Sequence, residues 1–177
     1  LNEKIAPGRV GILSQYIDRT CGARERSFFK VCHVEQRDPI NKTMQEFIYD
    51  ACIEQEVTCH KDLTCVTIEG PRFSTLAESR LHKSWGCDVV NMTSVPEVSL
   101  ATELATIYAC ILLITDYDCW CDNEESVSAN MVVERMKDLG SKVRRILPGI
   151  IRRIASYDWS EQRSLNEKSL KGSIMVE

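Results

Sequence analysis

Two carboxylates, Asp116 and Asp118, follow closely on the apolar run Ile111-Leu-Leu-Ile. Four consecutive aliphatic residues are typical of a strand inside an α/β sheet. Residues two apart in a strand point the same way, so the pair is expected on one side of the sheet. Such sheets bind ligands at the carboxyl ends of their strands. The pair therefore indicates a binding position, although two aspartates that simply begin a solvated loop fit the spacing equally well.

Two more polar loops, residues 69–74 and 91–94, follow apolar strands and are expected to converge on the same crevice. Phe73 offers a flat aromatic face, and Thr93 offers a hydroxyl at a predicted helix N-terminus, which suits an anion such as phosphate. A carboxyl pair near an aromatic ring suits an aminopurine, because one group accepts from the exocyclic amine while the other, if protonated, donates to a ring nitrogen. In the alternative, purely structural interpretation, Thr93 caps the helix and Phe73 is an aromatic residue of the hydrophobic core.

Alternating strands and helices must position these loops, and they predict an α/β fold with a mixed central sheet flanked by helices. A capping box from Thr43 to Glu46 marks the first helix, and Ser74 is expected to cap the second. Pro148 is expected to kink the last helix. In residues 157–177 the apolar residues recur with little regular period. Strands are predicted at 10–17, 64–68, 87–92 and 111–118, and helices at 41–56, 74–85, after 93, and at 128–156.

The composition limits the class of protein. With 177 residues, 44% of them hydrophobic, one domain with a sizeable core is expected. A net charge of -4 and the absence of a long apolar run give no support for a nucleic-acid or membrane partner. Nine cysteines without C-x-x-C pairs indicate reduced thiols in a cytoplasmic protein, with a zinc or disulfide framework as the alternative. His60 and His82 are expected at the surface.

Three motifs carry a family resemblance. They are Thr67-Ile-Glu-Gly-Pro-Arg-Phe-Ser, Trp85-Gly-Cys-Asp-Val-Val-Asn-Met-Thr-Ser-Val-Pro-Glu and Thr115-Asp-Tyr-Asp-Cys-Trp. Together they closely resemble the 5'-methylthioadenosine phosphorylase branch of the trimeric purine nucleoside phosphorylase family. The resemblance covers nearly the whole chain and implies a nucleoside phosphorylase fold.

The resemblance also implies roles for individual residues. Asp116 serves the purine N7 and Asp118 the 6-amino side, so both are expected to be catalytic and substrate-binding. The remaining implied positions are Phe73 against the nucleoside, Met92 along the ribose, Thr93 at the phosphate, Val132 in the methylthio pocket, Ser74 and Ala129 for substrate choice, and His33 and Met175 in a neighbouring subunit's site. Without the resemblance, Met92 and Val132 fit ordinary core positions, and His33 remains open because its flanking loop departs from the family pattern.

The implied reaction is phosphorolysis of 5'-methylthioadenosine to adenine and 5-methylthioribose 1-phosphate. Orthophosphate is a cosubstrate, so no metal and no organic cofactor is expected. The implied assembly is a homotrimer with cross-subunit active-site contacts, located in the cytoplasm with the nucleus as a second compartment. A 6-oxopurine nucleoside phosphorylase is the alternative within the family, but that branch typically has Asn where Asp116 stands. A non-catalytic truncated member is the other alternative.

The chain departs from the family pattern in two places. Relatives carry a further N-terminal third, which contains a Gly-rich phosphate loop, and they carry an additional stretch between Phe29 and Lys30. This sequence lacks both segments. The chain also starts at Leu1 rather than Met. We therefore expect residues 1–177 to be the C-terminal two-thirds of a single nucleoside phosphorylase domain, with Thr93 as the one phosphate ligand that can be named.

Overall fold

A computed structural model describes residues 1–22, 27–121 and 129–176, except for the side chain of Ala129. Within these ranges strands and helices alternate as predicted. In chain order the elements are β1 (Val10–Arg19), β2 (Val31–Cys32), α1 (Lys42–Glu54), β3 (Cys59–Ile68), α2 (Leu76–Ser84), β4 (Val89–Asn91), α3 (Ser94–Glu103), β5 (Ile111–Leu113), a 3₁₀ turn (Asp118–Trp120), α4 (Ala129–Ser156), α5 (Ser160–Ser173) and β6 (Ile174–Val176).

The central sheet has four strands in the order β4-β3-β1-β5. Strands β4, β3 and β1 run parallel, whereas β5 runs antiparallel to β1, with Leu113 opposite Val10. A separate two-stranded antiparallel sheet joins β2 to β6. The prediction of a mixed α/β sheet flanked by helices is confirmed.

Strand β1 belongs to hydrophobic clusters on both faces of the sheet. Val10 and Ile12 pack with residues of α1 and α4, and Leu13 packs on the other face with residues of α3. All three side chains are fully buried. Burying an aliphatic side chain of this size contributes about 1.5–3 kcal/mol. Helices on both faces therefore fix the strand that the rest of the sheet is built around.

The helix starts differ slightly from the predictions. Asn41, not Thr43, caps α1, and its Oδ1 accepts a hydrogen bond from the Met44 N–H at 2.9 Å. Thr75, not Ser74, caps α2, and it forms a reciprocal capping box with Glu78. An S/T-x-x-E pattern occurs at both helices, but in α1 the earlier asparagine takes the capping position.

The C-terminal region is more regular than predicted. Helix α4 extends from Ala129 to Ser156 and includes Pro148, and the tail folds into α5 and β6. Ser173 is the only residue of α5 that is buried, with 8% of its surface exposed. Because so little of α5 is buried, the apolar residues of the tail show little period, and neither α5 nor β6 was predicted.

The expectation that both histidines lie at the surface was also wrong. His82 is 4% exposed and packs against the Trp85 ring at 5.7 Å between centroids. Burial lowers the pKa of His82, which favours the neutral ring. His60 is half-buried, with its Nε2 3.2 Å from Nη1 of Arg9. All nine cysteines lie within the described residues, and no disulfide joins them.

Candidate active site

A cavity of about 460 Å³ lies between β4 and β5, the two edge strands of the central sheet. Two strands separate these edges, so the sheet must curl to bring both beside one cavity. The β3–α2 loop, the turn after β4, the loop after β5 and α4 complete its walls. The polar side chains that line it are Ser74, Asn91, Thr93, Cys110, Thr115, Asp116 and Asp118.

All three predicted loops reach this cavity, but not all for the predicted reason. Strand β5 is antiparallel to β1, so its carboxyl end lies where β1 and β3 begin. The loops after β3 and β4 leave the opposite end of the sheet. Curling of the sheet, rather than a shared strand direction, therefore brings Asp116 and Asp118 to the cavity.

Asp116 and Asp118 share the cavity through a turn rather than through strand alternation. Strand β5 already ends at Leu113. The Asp116 Oδ1 then accepts a hydrogen bond from the backbone N–H of Asp118 at 2.8 Å, and its Oδ2 accepts one from the Thr115 hydroxyl at 2.6 Å. Hydrogen bonds within the turn thus hold the Asp116 carboxyl group from both sides. The alternative of a solvated loop is wrong, since Asp116 is half-buried and Asp118 is buried.

Asp118 has an unusual backbone and an unsatisfied oxygen. Its φ of 59° is left-handed, a conformation that aspartate tolerates better than most residues. The residue is 9% exposed, and its buried Oδ2 has no hydrogen-bond partner among the described residues. Leaving such a group unpaired costs about 1–3 kcal/mol. A ligand with an N–H donor in the cavity would satisfy this oxygen.

The loop after β3 fits against Met92 because residue 70 is glycine. Gly70 has φ of 70°, and a Cβ added there would lie 2.6 Å from Sδ of Met92. The loop then presents Phe73, whose side chain is 47% exposed and lines the cavity. Ser74 lines it too, and its carbonyl accepts a hydrogen bond from the Cys119 thiol at 3.3 Å. Phe73 is therefore not the core residue of the alternative interpretation.

Thr93 precedes α3 but does not cap it. Its hydroxyl makes no cap hydrogen bond, and its side chain is exposed at the cavity. Asn91 organises the turn instead, because its side chain accepts from the Thr67 hydroxyl at 3.0 Å and donates to the Ser94 hydroxyl at 2.6 Å. The helix-cap alternative for Thr93 is wrong. Sequence reasoning assigned no role to Asn91, although an amide beside two hydroxyls is a typical turn signal.

Helix α4 supplies the apolar wall. Val132 lines the cavity, and Met136, one helical turn later, lines it as well. The spacing of four residues puts both on one face of the helix, which is the signal that could have identified Met136. Between them Arg135 donates from Nη1 to the carbonyl of Thr115, so α4 is tied to the loop that carries Asp116.

The described residues that line the cavity include acidic side chains but no basic ones. Within the described part of the chain, the residues that line it include two aspartates but no lysine, arginine or histidine. Burial raises the pKa of the Cys110 thiol, so that side chain is neutral rather than a thiolate nucleophile. No cluster of three or more metal-ligating side chains occurs among the described residues. The arrangement suits a largely neutral ligand with hydrogen-bond donors.

The family model of the phosphorylase superfamily matches residues 1–152. This chain belongs to the phosphorylase superfamily. Within the superfamily it is similar to the S-methyl-5'-thioadenosine phosphorylase of Xenopus tropicalis, with 40% identity over 99% of this chain. The enzyme of that name from Aedes aegypti is 41% identical over 99% of this chain. The chain spans about two-thirds of the length of these superfamily members, 65% and 66% respectively.

Solved structures of the phosphorylase superfamily share the fold. Methylthioadenosine phosphorylase from Schistosoma mansoni, in complex with adenine, matches with a TM-score of 0.92 and 34% identity over 97% of this chain and 68% of that chain. A variant of the adenosine/methylthioadenosine phosphorylase from that organism, in complex with methylthioadenosine, gives a TM-score of 0.88 and 32% identity over 98% and 68% of the two chains. The predicted nucleoside phosphorylase fold is confirmed.

Two predicted positions, His33 and Met175, do not line this cavity. His33 and Met175 lie at the small sheet that β2 and β6 form, where the His33 N–H donates to the Ser173 carbonyl at 2.9 Å. Both residues are exposed, and neither lines the cavity. Ala129 begins α4, but its side chain lies outside the described residues. Two expected cross-subunit residues of this phosphorylase superfamily member thus lie at the same small sheet.

Proposed function

We propose that this chain carries the base- and sugar-binding part of an enzyme that cleaves 5'-methylthioadenosine with orthophosphate. The products are adenine and 5-methylthioribose 1-phosphate. The observation that carries the proposal is the pair Asp116 and Asp118 at an otherwise largely apolar cavity, where one buried Asp118 oxygen has no partner among the described residues. The names of the similar proteins, and the adenine and methylthioadenosine in two of the solved structures, support it.

The acid pair recognises the adenine edge. Cleavage of the N-glycosidic bond leaves negative charge on the purine, so N7 needs a proton or a strong hydrogen bond. Asp116, held by the Thr115 hydroxyl and the Asp118 N–H, donates to N7 when it is protonated. Asp118 accepts from the 6-amino group through its free Oδ2. General-acid catalysis of this kind contributes roughly 10²–10⁴ in rate.

The sugar and phosphate occupy the region beside β4. Orthophosphate attacks C1' while the glycosidic bond breaks, and Met92 lies along the ribose. The Thr93 hydroxyl is free for the anion because it makes no cap hydrogen bond. No organic cofactor takes part, since phosphate itself is the nucleophile. A single hydroxyl is a sparse anion site, so further phosphate ligands belong to segments that the longer relatives carry.

The apolar wall selects the 5'-substituent. Val132 and Met136 line the cavity from α4 and offer no hydrogen-bond partner for a 5'-hydroxyl. Phe73, exposed at the cavity, supplies a face against the nucleoside. A methylthio group packs against this surface without leaving a polar atom unpaired. Ser74 and Ala129 are the remaining proposed determinants of substrate choice.

The active assembly is a homotrimer in which His33 and Met175 complete a neighbour's site. Their position together at the small sheet, exposed and away from this chain's own cavity, supports a joint cross-subunit role. A ring of heterologous contacts is the arrangement that lets one surface serve a different site on the next copy. Light scattering at assay concentration gives three times the subunit mass if this is right. A fully active monomer contradicts it.

The test of the reaction is a product assay on the natural full-length protein. Incubation with methylthioadenosine and orthophosphate should release adenine and methylthioribose 1-phosphate in equal amounts, and omission of phosphate should stop adenine release. Adenine release without phosphate would indicate a hydrolase. Nucleoside binding without turnover would indicate a non-catalytic family member. The absence of both binding and turnover would overturn the proposal.

A further inference from the structure

Arg135 connects the apolar wall to the loop that carries the acid pair. It lies on α4 between Val132 and Met136, the two residues that line the cavity from this helix. Its side chain is half-buried, and its guanidinium donates to the backbone carbonyl of Thr115. Burying a charged group without a hydrogen-bond partner is costly, so a partly buried guanidinium normally has a specific acceptor.

The carbonyl that Arg135 holds is part of the peptide unit that leads into Asp116. The orientation of this peptide sets the direction in which the Asp116 side chain leaves the backbone. The Thr115 hydroxyl then donates to Asp116 Oδ2 at 2.6 Å, and the Asp118 N–H donates to Asp116 Oδ1 at 2.8 Å. Thr115 therefore links α4 to the carboxyl group, because its carbonyl accepts from Arg135 and its hydroxyl donates to Asp116.

We propose that Arg135 is a positioning residue: by fixing the peptide between Thr115 and Asp116, it holds the Asp116 carboxyl group where it recognises purine N7. This inference rests on the proposed function, in which Asp116 meets N7. The inference adds that the Arg135 guanidinium binds the Thr115 carbonyl, which precedes Asp116 in the chain. Both oxygens of the Asp116 carboxyl group therefore remain available to the turn and to the ligand. Catalytic groups need positioning to within about 0.5 Å, which such a supporting contact provides.

The test compares a ligand that has N7 with one that lacks it. Equilibrium dissociation constants are measured for methylthioadenosine and for its 7-deaza analogue, on the full-length protein and on Arg135→Ala, Arg135→Lys and Arg135→Met. The exposed Arg144 on the same helix, changed to alanine, is the matched control. The wild-type protein should prefer the N7 ligand by about tenfold or more, the worth of one hydrogen bond to a charged or strongly polarised group.

In Arg135→Ala this preference should fall to roughly threefold or less, while Arg135→Lys, which keeps one donor, should retain part of it. The Michaelis constant for phosphate should stay unchanged, because Arg135 does not contact the Thr93 region. If the alanine variant does not fold, Arg135→Met keeps the packing of the aliphatic stem and carries the same prediction. Arg144→Ala should keep the full preference.

Two outcomes separate the inference from the proposed function. If the wild-type protein prefers methylthioadenosine but Arg135→Ala and Arg135→Met keep that preference, Arg135 is only a structural tie and the inference is wrong. If the wild-type protein shows no preference for N7, the proposed role of Asp116 is wrong, and the inference falls with it.

Discussion

The turn at residues 115–118 and the turn at residues 91–94 face the same cavity but offer a ligand very different groups. At the first, the chain's own hydrogen bonds fix Asp116 from both sides and leave a buried Asp118 oxygen for a ligand donor. At the second, Asn91 fixes the backbone, but the Thr93 hydroxyl is exposed and no cation lines the cavity within the described residues.

This difference shows which part of the chemistry the chain supplies by itself. Recognition of a neutral base needs a few oriented hydrogen bonds, and those are present among residues 115–118. Binding of a doubly charged anion needs several donors or a cation, and one hydroxyl is not enough. The chain also spans only about two-thirds of the length of its relatives. Substitutions in this chain should therefore change the selectivity for the base strongly, whereas they should account for only part of the affinity for phosphate.

The largest expected effect is at Asp116. Asp116→Asn removes the group that can give a proton to N7, so efficiency on methylthioadenosine should fall by roughly 10² or more. The amide can donate to a 6-oxo purine, so phosphorolysis of methylthioinosine should become measurable. Steady-state kinetics on both nucleosides decides this, with the exposed Asp50→Asn as a control. Near-normal methylthioadenosine activity would mean that residues 115–118 are an ordinary loop.

A smaller effect is expected at the other turn. Thr93→Ala removes one hydroxyl bond to an anion, worth about 1.5–3 kcal/mol, so the Michaelis constant for phosphate should rise roughly 10- to 100-fold. The constant for the nucleoside should change much less. The exposed Thr58→Ala is the control. Equal changes for both substrates would remove the distinction between the two turns.

The smallest effect concerns the apolar wall. Met136→Ala removes contact with the 5'-substituent, so the Michaelis constant for methylthioadenosine should rise roughly tenfold. The constant for adenosine, which has a 5'-hydroxyl, should change little. Leu147→Ala, a truncation of an exposed residue on the same helix, is the comparison. Parallel losses for both nucleosides would mean that Met136 does not distinguish a methylthio group from a hydroxyl group.

Much of this could be predicted from the sequence because local patterns are strong. The apolar strands, the helix start signals and the acid pair were all visible, and the family motifs lie at the cavity. Which way β5 runs was not visible, because a short aliphatic run has no direction signal. The loops after β3 and β4 were expected to share an end of the sheet with the aspartates, and only the curl of the sheet brings them together.

The missed residues have physical reasons of their own. Asn91 and Arg135 act through contacts between segments that are distant in sequence, such as Arg135 to Thr115. His82, predicted at the surface, is 4% exposed although α2 is polar overall. Tertiary contacts bury single residues of a polar helix, and the spacing of apolar residues along the sequence does not reveal these contacts.

The claim that the acid pair recognises the adenine edge is tested most directly by equilibrium titration of the protein with adenine and with hypoxanthine. Asp118 can accept from the 6-amino group of adenine, whereas a 6-oxo group there leaves two acceptors facing each other. We predict that hypoxanthine binds at least about 10² more weakly than adenine, because a site built for one hydrogen-bonding edge strongly rejects the other. Equal affinity for the two bases would contradict the account.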